Sequence, residues 1–353
     1  MEIIVDFTNA QAWDQFVQSH PEGRYCQLFG YRCMERIYGY RPHYLGFLRN
    51  QRLTGVLPLF EANSLLFGRR LVSSPFSEYG GFLIEPDWTE DEFQAAIHSV
   101  RALASRLGAR GVEFHGIHGL PEGRFQQFLS SSNHQHHAVL SLDHELEHLY
   151  KKVLDYQVRK AIQKAQRSAL VCEERSDPAT LRNWFGPLYL HSMKRLGAPP
   201  HSIDYYLQLK ESLGPAMRIH WALLDGQPVS GLLGFVCGRR VNIVHIVSTE
   251  AHWELRPNDL VHWDFIQWAH GQNIRWFDFG SVRYEGQRRF KEKWGCAIHP
   301  HAYYFPASPE DKPQKTFDSS SGMMSRMSAL WSKYVPGSVA RSLGPLLRRH
   351  LIR

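Results

Sequence analysis

The chain has 353 residues, which is too long for one ordinary hydrophobic core and predicts two domains of roughly 150 residues each. Hydrophobic residues make up 43% and charged residues 21%, a globular balance that excludes wholesale disorder. The net charge of +7 and the pI near 9.1 favour an anionic partner, which is a phosphate, a nucleotide, a tRNA or an acidic membrane surface.

The first half of the chain predicts a strand hairpin, further strands, one helix and a closing strand. Residues 43–62 (HYLGFLRNQRLTGVLPLFEA) form two strands around a tight turn at Asn50-Gln51, and a strand pair follows at 69–86. The segment DEFQAAIHSVRALASRLGA predicts an amphipathic helix that buries Phe93 and Ile97 together with Val100 and Leu103. The strand RGVEFHGI closes this set.

The second half repeats the plan. Residues 217–238 predict a hairpin that turns at Asp225-Gly226, and the strand RRVNIVHIVST follows. A helix with Asn258 as its N-cap leads into the strand IRWFDFGSV. Because a helix that crosses between strands usually delivers a parallel neighbour, we expect an α/β (α+β) fold of two copies, each a mixed sheet flanked by helices.

The remaining segments set the expected boundaries. Asp143 is expected to cap a helix that runs through Lys164, and residues 308–327 are rich in proline and serine, as in a loose linker. The predicted domains are residues 1–140, residues 141–306, and a linker and basic tail at 307–353.

Compartment follows from cysteine usage and hydropathy. Five scattered cysteines without a CxxC pair indicate reduced thiols, as in a cytoplasmic protein. No signal peptide is visible, and no uncharged apolar run is long enough to span a bilayer. In the tail, arginines alternate with leucines, which predicts either an interfacial helix at 329–353 on an anionic inner membrane or a helix docked on the first domain.

One segment matches a metal-binding pattern. The run His144, Glu145, Leu146, Glu147 and His148 fits HExxH, in which two histidines one helical turn apart bind zinc and the glutamate activates water. With Asp143 as the helix cap, His144 would lie in an exposed first turn, whereas a catalytic zinc helix is buried. We therefore expect no metal here, and a zinc hydrolase stays the weaker alternative function.

Two other stretches predict substrate contacts. In YQVRKAIQKAQR, the cations Arg159 and Lys160 share neighbouring faces of one helix, either as a phosphate clamp or as a solvated basic face. The loop SSPFSEYGG holds Ser77, Glu78 and Tyr79 before two glycines that permit close backbone approach, so it lines a substrate cleft or forms a plain turn.

The stretch GQRRFKEKWG follows the last predicted strand. If it is helical, Phe290 and Trp294 share one buried face, with Lys291 at its edge and Arg289 beside them. A lysine at a face edge supplies little core packing, so replacing it with alanine is expected to leave folding intact.

The order VRKAIQKAQRSAL, GLLGFVCG, IRWFDFGS and FKEKWG resembles the FemAB-like branch of the GNAT superfamily. That branch includes the Fem aminoacyltransferases of peptidoglycan precursors and the CelD-like acetyltransferases of polysaccharide gene clusters. The loop SSPFSEYGG and the closing LGPLLRRHL resemble FemAB-like proteins associated with exosortase/PEP-CTERM systems. The resemblance spans nearly the whole chain and implies two tandem GNAT-like domains.

The resemblance also implies a site. A Phe-Lys pair lies beside the reacting acyl group in Fem transferases, and it matches Phe290 and Lys291. An arginine that holds the acceptor's phosphates matches Arg159. The implied function is amide formation on an amino group of a cell-envelope or exopolysaccharide precursor, and the alternative is a non-catalytic GNAT-like module that binds a glycan or precursor.

The acyl donor and the proton acceptor stay open. No tRNA-binding coiled-coil insertion is present, and the segment STEAHWELRPNDL lacks the glycines of a CoA pyrophosphate loop, so aminoacyl-tRNA and acyl-CoA both remain candidate donors without a tightly bound cofactor. Asp278 and His245 are candidate bases, and a structural role is the alternative for each.

Overall fold

The computed structural model describes residues 1–64, 68–119, 124–307 and 322–351. Packing divides the chain into two compact units. The described residues of the first lie within 1–134, 301–318 and 349–353, and those of the second within 135–300 and 319–348. The sequence-based boundaries stay a prediction, because these packing units divide the residues after 300 between them.

The described residues form fourteen strands and twelve α-helices. The strands are β1 (Glu2–Ile4), β2 (Arg41–Arg49), β3 (Arg52–Ser64), β4 (Gly68–Ser73), β5 (Phe82–Ile84), β6 (Val112–His115), β7 (Ile117–His118), β8 (Leu129–Ser141), β9 (Leu170–Glu174), β10 (Met217–Leu224), β11 (Gln227–Cys237), β12 (Arg240–Ser248), β13 (Trp276–Val282) and β14 (Ala297–Pro306). The helices are α1 (Ala10–Ser19), α2 (Met34–Tyr38), α3 (Glu90–Leu107), α4 (Leu146–His148), α5 (Tyr156–Gln166), α6 (Pro178–Thr180), α7 (Gly186–Arg195), α8 (Ile203–Leu213), α9 (Pro257–Gly271), α10 (Glu285–Lys293), α11 (Gly322–Tyr334) and α12 (Gly337–Arg348).

The first unit contains a mixed sheet in the order β1-β2-β3-β4-β6-β14. The predicted turn between β2 and β3 is confirmed, since Asn50 and Gln51 have φ of 48° and 65°, the left-handed values of a tight hairpin turn. β4 and β6 are parallel, as expected across a helical connection. The two strands predicted at 69–86 are present as β4 and β5, but they do not pair with each other: β4 pairs with β3 and β6, whereas β5 pairs with β3 and β7.

Helix α3 covers this sheet. Thr89 caps it through a capping box with Glu92, and Gly108 ends it with φ of 63°. Its predicted apolar face is buried, which includes Phe93 and Val100. The core of the first unit therefore lies between α3 and the sheet.

The second unit contains a mixed sheet in the order β8-β13-β12-β11-β10-β9. Asp225 and Gly226 form the predicted hairpin turn with φ of 50° and 74°. The chain leaves β12, passes through α9 and returns as β13, which is parallel to β12. The predicted α/β class with mixed sheets flanked by helices is thus confirmed.

Two predicted helix caps are wrong. Asn258 lies inside α9, which begins at Pro257 after Arg256, and its amide oxygen accepts a hydrogen bond from Ser230 Oγ. The helix expected from Asp143 through Lys164 is interrupted at Leu154, and a new helix, α5, begins with Asp155 as its cap. Several polar residues near each helix start could serve as the N-cap, and tertiary contacts decide which of them does.

The C-terminal segment is helical from Gly322, so the linker predicted at 308–327 is wrong for 322–327 and otherwise falls outside the described residues. Helix α12 packs on α7 in the second unit, so the prediction that the tail docks on the first domain is wrong for this helix. The residues after it belong to the first unit, where the carbonyls of Arg349 and His350 accept hydrogen bonds from Tyr40 and Ser64. No helix of the described residues is long and apolar enough to cross a membrane.

Candidate active site

Lys291 is a buried cation in α10, with 7% of the residue exposed. Its Nζ donates hydrogen bonds to the backbone carbonyls of Gly280, at 2.9 Å, and Ser281, at 2.5 Å. These bonds join α10 to the end of β13. The expectation that this lysine contributes little to packing is therefore wrong, because its stem is buried and its ammonium bonds two main-chain groups.

The end of β13 is shaped to present those two carbonyls. The pairing of β13 with β8 shifts register between Asp278 and Ser281, as at a β-bulge, and Gly280 has φ of 75°. The Gly280 N–H donates to Asp278 Oδ1 at 2.8 Å, and Asn242 Nδ2 donates to Asp278 Oδ2 at 3.2 Å. The buried carboxylate of Asp278 thus fixes the turn that holds Lys291, which favours its structural role over that of a base.

Phe290 and Trp294 do not share a buried face as predicted. Trp294 is fully buried, whereas Phe290 is 41% exposed. The burial of Lys291 rotates α10 so that the lysine and the tryptophan point inward. The ring of Phe290, which precedes the buried Lys291 in the chain, is therefore partly exposed and open to a ligand.

His262 of α9 lies among these groups and was missed by sequence reasoning. Its ring stacks on Phe279 at 5.4 Å and meets Phe290 edge to face at 5.8 Å. The Asn258 carbonyl lies 2.7 Å from Nδ1, which places the proton on Nδ1. The pKa of His262 is lowered to about 4, because burial and then the charge of Lys291 outweigh the hydrogen bond to Asn258, which raises it. His262 sits within the apolar run of α9, so no local pattern distinguished it.

Acid is expected to destabilise the fold through buried neutral histidines. Burial is the first cause of the lowered pKa of His262 and His301, each about 4, so between pH 6.5 and 4 the unfolded chain binds protons that the folded chain does not. The free energy of unfolding should fall by about 1 kcal/mol per pH unit for each histidine. Chemical denaturation between pH 7 and 5 measures this slope.

A variant pair isolates the contribution of His262. His262→Phe keeps an aromatic ring but does not titrate, so its stability should depend less on pH than that of the parent. His98→Gln, at an exposed helical position, should keep the parent's dependence. Equal pH slopes for the parent and His262→Phe would contradict the assignment.

The predicted phosphate-binding cations lie on α5. Arg159 is half-buried and its Nη1 donates to the carbonyl of Lys151, while Lys160 is exposed. The start of this helical region meets the end of α10, since the Asp155 N–H donates to the carbonyl of Lys293 at 2.9 Å. The second unit therefore brings the α5 cations and α10 to one region of its surface.

Arg289 lies on the outer face of α10. Its side chain is 72% exposed, and its Nε contacts Glu285 Oε1 at 2.9 Å one turn earlier. An exposed pair of this kind contributes little stability, so Arg289 can exchange its partner for a ligand at small cost. Its role as a substrate-binding residue stays a prediction.

The loop with Ser77, Glu78 and Tyr79 belongs to the first unit and is tightly held. The carbonyl of Ser77 lies 2.6 Å from His115 Nδ1, and the Tyr79 N–H donates to Ser77 Oγ. Gly80 has φ of 106°, so it uses the conformational freedom predicted for the two glycines. Ser77 and Tyr79 are buried and Glu78 is partly exposed, so Glu78 is the member of the three most open to a ligand.

The HExxH segment lacks the geometry of a catalytic zinc helix. His144 precedes α4, both histidines are exposed, and their ring centroids are 4.7 Å apart. Among the described residues no group of three or more His, Cys, Asp or Glu side chains could hold a metal ion. The segment instead forms an exposed helix start.

The other candidate base, His245, lies among aromatic rings. Its Nε2 is 2.8 Å from the hydroxyl of Tyr206, and its ring meets that of Tyr189 edge to face. Withdrawal from water, and then the charge of Arg348, lowers its pKa to about 3. These contacts indicate a structural histidine. Two surface cavities, one bounded by Trp184 and the other by Arg101, do not include Lys291 in their lining.

The segment before α9, which lacks glycine, leads into that helix without an extended loop. Residues Glu250–Leu255 form a short 3-10 helix, and Pro257 occupies the first turn of α9, where it supplies no N–H. The buried carboxylate of Asp259 lies in the same turn and contacts Arg256 Nε at 2.9 Å. A negative group at a helix N-terminus occupies the position that an anion would otherwise take.

Comparison with known proteins agrees with this architecture. Residues 152–292 match the family model described as acetyltransferase (GNAT) domain, a segment that contains Arg159, Phe290 and Lys291. The crystal structure of FemX is similar with a TM-score of 0.71 and 15% identity, over 87% of this chain and 98% of that chain. No curated protein matched the sequence.

Two further solved structures share the fold. L-PGS from Bacillus licheniformis has a TM-score of 0.54 and 13% identity, over 92% of this chain and 95% of that one. A tandem GNAT protein from the clavulanic acid biosynthesis pathway has a TM-score of 0.52 and 13% identity, over 88% of this chain and all of that one. These likenesses confirm the predicted tandem GNAT-like fold, and within it residues 152–292 match a GNAT acetyltransferase domain.

Proposed function

We propose that the chain is an N-acyltransferase that forms an amide on an amino group of a phosphate-bearing cell-envelope or exopolysaccharide precursor. The observation that carries the proposal is the buried ammonium of Lys291, which two backbone carbonyls hold in place, and which follows the partly exposed Phe290 in the chain. The GNAT domain match and the FemX-like fold support acyl transfer as the reaction class.

In the proposed reaction, the lone pair of an amine attacks an activated acyl carbonyl. A C–N bond forms, the bond from the carbonyl carbon to the donor's oxygen or sulfur breaks, and the proton from nitrogen leaves on that atom. Negative charge gathers meanwhile on the carbonyl oxygen. Lys291 would stabilise this charge, and because it is already fixed it needs no reorganisation during the reaction.

Neighbouring groups would position the reactants. Phe290 would pack against the acyl group with its exposed face. His262 keeps its proton on Nδ1, so Nε2 is its acceptor. Because the pKa of His262 is lowered to about 4, this nitrogen would accept a hydrogen bond from the attacking amine rather than hold its proton.

Aminoacyl-tRNA is the donor that we favour over acyl-CoA. An acyl-CoA would bring its pyrophosphate to the segment before α9, where Pro257 lacks an N–H and Asp259 presents a carboxylate. The net charge of +7 favours a large polyanion.

The acceptor's phosphates would bind at α5. Arg159 offers a planar guanidinium with several N–H donors, and Lys160 offers an exposed point charge on the same helix. The contact between Asp155 and Lys293 places this helix next to α10. A phosphate held there would anchor the precursor while its amine reaches the acyl group.

Ligand capture tests the acceptor. Protein purified from its native host is expected to carry a nucleotide-linked or polyprenyl-linked sugar, which mass spectrometry identifies after denaturation. The double variant Arg159→Ala, Lys160→Ala should carry several-fold less, whereas Lys164→Ala, further along the same helix, should match the parent. Absence of any phosphate-bearing sugar from the parent protein would overturn the proposed acceptor, and captured acyl-CoA would overturn the proposed donor.

A non-catalytic module that binds a precursor is the second candidate. The occupied N-terminus of α9 favours it, because it removes a phosphate site that the acetyltransferases of this superfamily use. It predicts the same captured sugar but no amide product with either donor, so a turnover assay separates the two functions.

A further inference from the structure

The two C-terminal helices pack on the protein through small and polar residues. In α11, Ser328 Oγ donates to the carbonyl of Gly197 at 2.7 Å. In α12, Ala340 and Gly344 are buried, and a side chain at Gly344 would lie 2.4 Å from Pro200 Cδ. The inward face of α12 is therefore narrow and contributes little apolar area, whereas α11 also turns the partly buried ring of Trp331 inward.

Most of the large apolar residues described in these two helices, Trp331 apart, point outward. In α11 the exposed positions have helical spacing and include Leu330 at 57% and Tyr334 at 65%. In α12 the corresponding residues are Leu343 at 47%, Leu346 at 61% and Leu347 at 43%. A helix packed on a protein core shows the opposite arrangement, with its large apolar residues inward. The outer face thus has the composition of a surface that meets an apolar phase.

The charge of the segment indicates which kind of apolar phase the outer face meets. Residues 319–353 contain no aspartate or glutamate. They contain six lysines and arginines, which are Arg326, Lys333, Arg341, Arg348, Arg349 and Arg353. Lys333 and Arg341 are exposed on the same helices as the apolar residues. A protein partner or a second copy gives no reason for this complete absence of acidic residues, whereas an anionic lipid surface does.

The segment is anchored at its end, so it presents a preformed face. Arg348 Nε donates to His201 Nε2 at 3.2 Å, immediately beyond the last apolar pair of α12. A rigid amphipathic face loses less conformational entropy on binding than a disordered basic tail would.

We infer that the outer face of α11 and α12 is a binding surface for an anionic lipid bilayer. The leucines and Tyr334 enter the headgroup region while the lysines and arginines contact lipid phosphates. This binding surface is independent of acyl transfer: it would hold the protein at an anionic membrane whichever acceptor the protein uses. Docking on α7 and contact with a membrane are then properties of opposite faces of α12, whereas the sequence had offered docking on the first domain as the alternative to membrane contact.

Vesicle sedimentation tests this with the full chain. The parent should pellet with vesicles of 30% phosphatidylglycerol in phosphatidylcholine, and much less with phosphatidylcholine alone or in 0.5 M salt. Two multiple variants test the face: a triple variant (Leu343→Ser, Leu346→Ser, Leu347→Ser) and a double variant (Lys333→Glu, Arg341→Glu). Each should bind anionic vesicles at least about tenfold more weakly than the parent. Because these side chains point outward, the melting temperatures of both variants should stay near that of the parent.

The exposed apolar residue Val171, which is 63% exposed on β9, supplies the matched control. Val171→Ser should bind vesicles like the parent. Equal binding of the parent to neutral and anionic vesicles, or unchanged binding of both helix variants, would overturn the inference. Sedimentation velocity without lipid gives the last check, because a dimer that the leucine variant dissociates would assign the face to a second copy instead.

Discussion

Replacement of Lys291 by methionine is expected to slow acyl transfer by about 10²- to 10³-fold, the loss typical of one preorganised oxyanion donor. Methionine keeps an unbranched side chain of similar length and removes only the charge and the N–H groups. The effect should fall on kcat, because the ammonium acts on charge that is present only in the transition state. Lys291→Arg keeps the charge but not the compact geometry, so its rate should be intermediate.

Lys291→Met should also be less stable than the parent, so the experiment needs controls that separate a loss of rate from a loss of folded protein. The carbonyls of Gly280 and Ser281 lose their partner, at a cost of roughly 1–3 kcal/mol. Rates are therefore compared per folded molecule, well below the melting temperature. Lys293→Met, an exposed cation on the same helix, should keep kcat within about twofold of the parent. Loss of stability in Lys291→Met with an unchanged kcat would show that the lysine serves only to tie α10 to β13.

Replacement of Trp294 by alanine is expected to lower the free energy of unfolding by about 3–5 kcal/mol. The ring is fully buried and lies 5.4 Å from His262 and 5.8 Å from Phe279, so its removal leaves a cavity in the core of the second unit. Urea denaturation measures the loss. Trp253→Ala serves as control, because that ring is 40% exposed and should cost about 1 kcal/mol or less.

A second substitution keeps the test informative if Trp294→Ala fails to fold. Trp294 Nε1 is buried and has no hydrogen-bond partner. Trp294→Phe retains a ring and removes this unsatisfied donor, so it should cost clearly less than alanine. A phenylalanine variant as unstable as the alanine variant would contradict the placement of this ring in a packed aromatic cluster.

Local features of the sequence predicted much of the fold. The turns at Asn50-Gln51 and Asp225-Gly226 follow from residue types that tolerate positive φ. Helix α3 follows from a continuous apolar stripe with a capping box. Strand β14 was missed, because its histidines and proline obscure the alternation and its partner β6 lies far away in the chain.

The sequence named residues for the candidate site, but it did not predict their burial or their contacts. The Phe-Lys pair was named from a resemblance, whereas spacing alone placed Phe290 inside and Lys291 at an edge. The structure reverses this, because the carbonyls at the β13 bulge draw the ammonium inward. A bulge and the tilt of a helix are tertiary features, so no local pattern contains them. His262 reaches the site from α9 for the same reason.

A crystal structure with a bound tetrahedral phosphonate analogue of the acyl intermediate tests the role of Lys291 most directly. The measured quantity is the distance from Lys291 Nζ to the phosphoryl oxygen that mimics the oxyanion. We expect about 2.7–3.1 Å, with the ring of Phe290 in contact with the analogue. An analogue bound with that oxygen far from Nζ, while the ammonium keeps only its bonds to Gly280 and Ser281, would contradict the proposed chemistry.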